Sequence, residues 1–66
     1  MRIVVNGEER NLSSPLSLKT YLESLGISLQ RIVVEYNGEV LSQERWGEIF
    51  LKEGDTLEIV HFVGGG

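Results

Sequence analysis

The chain has 66 residues, enough for one small domain and too few for two. It contains no cysteine and a single histidine, which excludes disulfides, a thiol nucleophile and cysteine-based metal sites. Hydrophobic residues make up 41% and charged residues 24%, as in a folded domain, while the net charge of −4 and the scattered basic residues exclude a nucleic-acid partner, which needs a cationic face.

Arg2-Ile3-Val4-Val5 is rich in β-branched residues and stops at Asn6-Gly7, a two-residue hairpin signal. The apolar run at the start is too short for a signal peptide, and no segment approaches membrane-spanning length, so the expected location is cytoplasmic, with no membrane partner. Glu8 to Leu12 returns as a polar edge strand, where Glu8-Glu9 also deters sheet-to-sheet association. Ser13-Ser14-Pro15 breaks the pattern. Ser17 then caps a helix whose apolar face is Leu18, Tyr21, Leu22 and Leu25, closed by Gly26 as a left-handed cap.

Ile32-Val33-Val34-Glu35-Tyr36 is a second β-branched strand, ending in the turn Asn37-Gly38 and followed by a short return, Glu39-Val40-Leu41. Ser42 to Phe50 has no clear period, and its apolar members Trp46, Ile49 and Phe50 are expected to plug the core. Glu53-Gly54-Asp55 is a turn without a paired-carboxylate site, and Lys19 and Lys52 read as ordinary surface lysines. Thr56 to Val63 is the last strand. His61 falls on its core side as a structural or partly exposed histidine rather than a catalytic one.

Two hairpins flanking one helix predict an α+β fold, a mixed sheet of four to five strands packed on one main helix. With the first and last strands parallel at the sheet centre, the arrangement is the β-grasp, or ubiquitin-like, roll. Residues 1–63 form the expected domain and residues 64–66 a glycine tail.

The ordered set of these signals resembles the thiamine-biosynthesis sulfur carrier family, ThiS, over the whole chain. The resemblance is carried by Ile3, Val5 and Asn6-Gly7, by the helix of Leu18, Leu22 and Leu25, and by Val34-Glu35-Tyr36-Asn37-Gly38-Glu39-Val40. Trp46, Glu53-Gly54-Asp55, Leu57-Glu58-Ile59-Val60 and the closing Gly65-Gly66 complete it. The family pattern ends on Gly-Gly, and Gly64 adds a third glycine.

The resemblance implies that this protein is a co-substrate and not an enzyme. A ThiF-like adenylyltransferase would use ATP to convert the Gly66 carboxylate to an acyl-adenylate. Sulfur drawn from cysteine by a desulfurase would replace AMP, giving a thiocarboxylate. A ThiG-like thiazole synthase would then take that sulfur for the thiamine thiazole ring. No cofactor bound by the chain itself is implied. A C-terminal carboxylate, with a pKa of about 3.5, is an anion at neutral pH and a poor electrophile, so activation is required. The chain has no GxxxxGK[ST] loop, so the ATP belongs to the partner. Gly64 and Gly65, lacking Cβ, suit recognition in a narrow cleft, and the tail is expected to be ordered only there.

Period-two alternation supplies a candidate docking patch. If Ile3, Val5, Ile32, Val34, Leu57 and Ile59 face the helix, then Val4, Val33, Val60 and Phe62 form an outward apolar strip leading into the tail, the kind of surface that marks a binding site. Three other readings compete: a molybdopterin-synthase small-subunit type of carrier, a ubiquitin-like protein modifier joined through Gly66, and an interaction module with an inert tail.

Overall fold

Both Asn-Gly dipeptides turn the chain as predicted. In the computed structural model, which describes residues 1–62, Asn6 and Gly7 take φ of 51° and 80°, and Asn37 and Gly38 take 51° and 88°. Positive φ at both central residues is the type I′ geometry, whose twist matches that of the strands it joins. The first turn links β1 (Arg2–Val5) to β2 (Glu8–Asn11), and the second links β3 (Ile32–Tyr36) to β4 (Glu39–Leu41). The last strand, β5 (Thr56–His61), lies between the two hairpins, giving a five-stranded sheet in the order β2-β1-β5-β3-β4. It runs parallel to β1 and antiparallel to β3. These are the order and directions of the β-grasp roll. The predicted boundary after residue 63, and Gly64, Gly65 and Gly66, lie outside the described residues.

The helix α1 (Leu18–Ser24) starts where Ser17 Oγ accepts a hydrogen bond from the Thr20 amide at 3.1 Å. Leu18, Tyr21 and Leu22 are buried against the sheet. The fourth predicted member of the stripe departs from expectation: Leu25 is the C-cap and is 41% exposed. The helix has only two turns, and Gly26, at φ 72°, bends the chain away before Leu25 reaches the core.

From the sheet, Ile3, Val5, Ile32, Val34, Leu41 and Leu57 meet the helix residues in one core, with Ile59 partly buried at its margin. Trp46, in a 3-10 stretch spanning Gln43–Glu48, is buried as expected. Phe50 is not: it is 65% exposed, and Leu51 is the buried plug. The backbone explains the exchange. Leu18 N donates to Ile49 O at 2.8 Å and Leu51 N donates to Leu16 O at 3.0 Å, so residues 49–51 run extended beside the start of the helix. Alternation then turns Ile49 and Leu51 inward and Phe50 out.

Lys52 is also more than an ordinary surface lysine. Its Nζ donates to Tyr36 Oη at 2.9 Å and to Asp55 Oδ1 at 3.1 Å, while Tyr36 Oη donates to Asp55 Oδ2 at 2.9 Å. No helix among the described residues is long and apolar enough to cross a membrane.

Candidate functional site

The strand that leads to the C-terminus is held by the side chains of both turn asparagines. β1 ends at Val5, so its ladder to β5 would stop after Asn6 N donates to Leu57 O at 2.9 Å. The Asn6 side chain continues it. Its Oδ1 accepts from Ile59 N at 2.7 Å, and its Nδ2 donates to Ile59 O at 3.3 Å. At the strand's other end Asn37 Oδ1 accepts from Thr56 N at 2.8 Å, and Asn37 N donates to Thr56 O at 2.8 Å. Beyond His61 the hold passes to the other neighbour, where Phe62 N donates to Arg31 O at 2.7 Å. The backbone of β5 is therefore fixed up to the last described residue.

Of the predicted docking patch, the structure brings three members together and sets the fourth apart. Val33 and Val60 lie directly opposite one another across β3 and β5. Phe62 follows two residues further on, on the same face by alternation. Val60 is 54% exposed and Phe62 60%, with Val33 half-buried between its neighbours. Val4 is half-buried on β1 in register with Thr56, so it sits at the opposite end of β5. The row between the two groups is polar: Glu35 on β3 lies opposite Glu58 on β5. Val40, opposite Glu35 on β4 and 62% exposed, belongs to this outer face too. The alternation that picked out Val33 and Val60 also carried Glu35 and Glu58, and the pairing of Glu39-Val40-Leu41 behind an Asn-Gly turn would have placed Val40.

The other side of the sheet opens a notch of about 320 Å³ at the C-terminal end of α1, where Asn6, Arg10, Tyr21 and His61 join apolar residues such as Leu25 and Ile59. His61 thus faces the helix side, as alternation predicts, and is exposed. Among the described residues no group of three or more His, Asp or Glu is placed to hold a metal ion. The predicted attachment residue Gly66 and the tail residues Gly64 and Gly65 lie outside the described residues.

Comparison with known proteins follows the same lines. The family model described as the ThiS family matches residues 3–66. The sulfur carrier protein ThiS of Bacillus subtilis is 40% identical over 50 residues, 76% of each chain. A thiazole synthase of Paramagnetospirillum magneticum is 39% identical over all 66 residues of this chain, which span only 20% of that protein's length. The crystal structure of the thiamine biosynthesis protein ThiS from Geobacter metallireducens superposes with a TM-score of 0.85 at 33% identity, covering 100% of both chains.

Proposed function

The chain belongs to the ThiS family, and from that premise we propose that it is a sulfur carrier for thiamine thiazole synthesis, working through the carboxylate of Gly66. The observation that carries this reading is the course of β5, which is pinned at Thr56 and Ile59, shows Val60 outward and runs on to three terminal glycines. A rigid strand with an apolar flank gives a partner something to grip. The glycines beyond it present a carbonyl carbon that no side chain shields.

The proposed chemistry follows from the leaving group. A carboxylate oxygen of Gly66 attacks the α-phosphorus of ATP on a ThiF-like adenylyltransferase, and pyrophosphate departs. The resulting acyl-adenylate is electrophilic at carbon. The terminal sulfur of a persulfide on a cysteine desulfurase attacks there, AMP leaves with the carboxyl oxygen, and a thiol reductant cleaves the resulting acyl disulfide to release the thiocarboxylate. Transfer to a ThiG-like thiazole synthase completes the cycle. That partnership is supported by the thiazole synthases of Paramagnetospirillum magneticum and Magnetococcus marinus, in each of which a stretch similar to this entire chain forms 20% of the polypeptide. Binding ATP falls to the activating partner, and this chain is its substrate.

Intact-mass analysis tests the reading. After incubation with ATP, a ThiF-like adenylyltransferase, a desulfurase with cysteine and a thiol reductant, the expected product has one oxygen replaced by sulfur. A chain with one residue appended after Gly66 should remain unchanged under the same conditions. If the unmodified terminus gives no such product with any adenylyltransferase of this type, the proposal fails.

A further inference from the structure

We propose that Asn6 is a site of spontaneous covalent modification, in which its side chain closes on the Gly7 amide and releases β5, while the fold protects the same dipeptide at Asn37-Gly38.

Asparagine is thermolabile, most of all before glycine, which has no side chain to shield its amide nitrogen. The Gly7 nitrogen attacks Asn6 Cγ, and the new N–Cγ bond closes a succinimide ring. The Cγ–Nδ2 bond breaks, and the side-chain nitrogen leaves as ammonia with the proton of the Gly7 amide. Water then opens the imide at either carbonyl, leaving aspartate or isoaspartate at position 6. The step needs water and no oxidant, cofactor or enzyme.

Locally the two sites are nearly alike. Each Asn-Gly ends a strand, after Val5 in one case and Tyr36 in the other, and each is followed by a glutamate. Both asparagines are exposed and take φ of 51°. Both side chains are held onto neighbouring groups by hydrogen bonds, so Cγ meets the glycine amide only after those bonds open.

What differs is what opening breaks. The Asn6 side chain bonds exposed backbone groups of Ile59, and its Nδ2 contact is long at 3.3 Å. The hairpin it turns leads into β2, an edge strand exposed along its whole length. Asn37 reaches into the core instead. Its Nδ2 donates to Asp55 Oδ1 at 3.2 Å, and that buried carboxylate also holds Tyr36 and Lys52. Withdrawing Asn37 leaves a buried charge short of a donor, which costs more than freeing backbone groups that water can satisfy. The strand beyond this turn, β4, is further anchored by Leu41 in the core. Asn6 therefore opens more often and reacts first.

The product undoes the clamp. Aspartate and isoaspartate both lack the Nδ2 donor and turn acceptors toward Ile59 O. Isoaspartate also routes the main chain through the side-chain carbon, lengthening a turn whose geometry fixes the β1–β2 register. Either way β5 loses its hold at Ile59.

The test ages the intact chain for months at neutral pH and physiological temperature, then maps the products by mass spectrometry. Trypsin puts the sites on separate peptides, residues 3–10 and 32–45, where NH2 replaced by OH is read directly. Product at Asn6 should form at least about 10-fold faster than at Asn37, since the rate follows the open population. In urea, with both side chains released, the two rates should be similar. The aged fraction, separable by its added negative charge, should exchange the Ile59 amide faster than fresh protein does. Equal rates in the folded chain, faster reaction at Asn37, or the same preference in urea overturns the assignment. Absence of product at Asn6 in the folded chain, while the urea sample reacts, overturns it as well. If Asn6 reacts first and exchange at Ile59 stays unchanged, the modification does not release β5 and that half of the proposal fails.

Discussion

Among the described residues Asp55 is the one charged side chain in the core, 3% exposed, and it closes the turn that launches β5. Burial pushes its carboxyl pKa up, but hydrogen bonds from the Lys52 amide, the Asn37 side chain, Tyr36 Oη and Lys52 Nζ together outweigh that and hold it below the ordinary carboxylate value. The ionised form is thus favoured by folding. Its contribution is complete above the unfolded carboxylate pKa of about 3.9 and is lost as pH falls through that value and then through the lower folded one. Asp55→Asn should cost about 2 kcal/mol at neutral pH, since it breaks the ammonium contact and sets an amide against donors. Thermal melts of wild type and variant should converge as the pH drops below about 4. Equal separation of the two melting curves at neutral and acid pH would rule this out. The sequence shows Glu53-Gly54-Asp55 as a turn and nothing more, because two of the partners that make Asp55 structural, Tyr36 and Asn37, come from β3 and its turn, distant in the chain.

Elements behave similarly: their local signals are legible, and their mutual attachments are not. Asn6-Gly7 and Asn37-Gly38 announce two hairpins through the φ they require, and the structure has both. What no local rule states is that each asparagine side chain then reaches sideways to β5. This need exists only because the hairpins stop short of covering the central strand. Phe50 shows the same boundary from the other direction, since its exposure follows from the bridge between Phe50 and Ser17, a pairing outside any period in the sequence. The Asn6 clamp has a measurable consequence. Asn6→Gly keeps the left-handed turn position, which glycine adopts freely, and removes both side-chain bonds to Ile59. Native-state hydrogen exchange should then show the Ile59 amide opening about 10-fold faster or more, with global stability reduced by about 1 kcal/mol. Exchange at Leu57, which the β1 backbone flanks, should change by no more than the global loss requires. If Ile59 changes no more than Leu57 does, the clamp adds nothing local.

At the scale of the whole molecule, the sheet divides two tasks between its faces. The inner face packs Ile3, Val34 and Leu57 against Leu22 of the helix, all without solvent exposure, and the stability of so small a domain depends on them. The outer face carries Val60 and Phe62, which make little of the core. Substitutions should therefore separate into two classes. Leu22→Ala creates a cavity beside the helix and should cost about 2–5 kcal/mol, a large part of the roughly 5 kcal/mol at the low end for a single domain. A domain of this size shifts by about 4–8 °C per kcal/mol, so its melting temperature should drop by about 10 °C or more. Its folded fraction should still bind the adenylyltransferase with the original affinity. Val60→Asp and Phe62→Asp should show the reverse, with the melting temperature lowered by less than about 8 °C and docking weakened at least about 10-fold. Melting curves and titrations on the same preparations of the three variants are sufficient. Loss of fold in Val60→Asp comparable to that in Leu22→Ala would mean that the outer face also supports the core, and the division between the two faces would have to be abandoned.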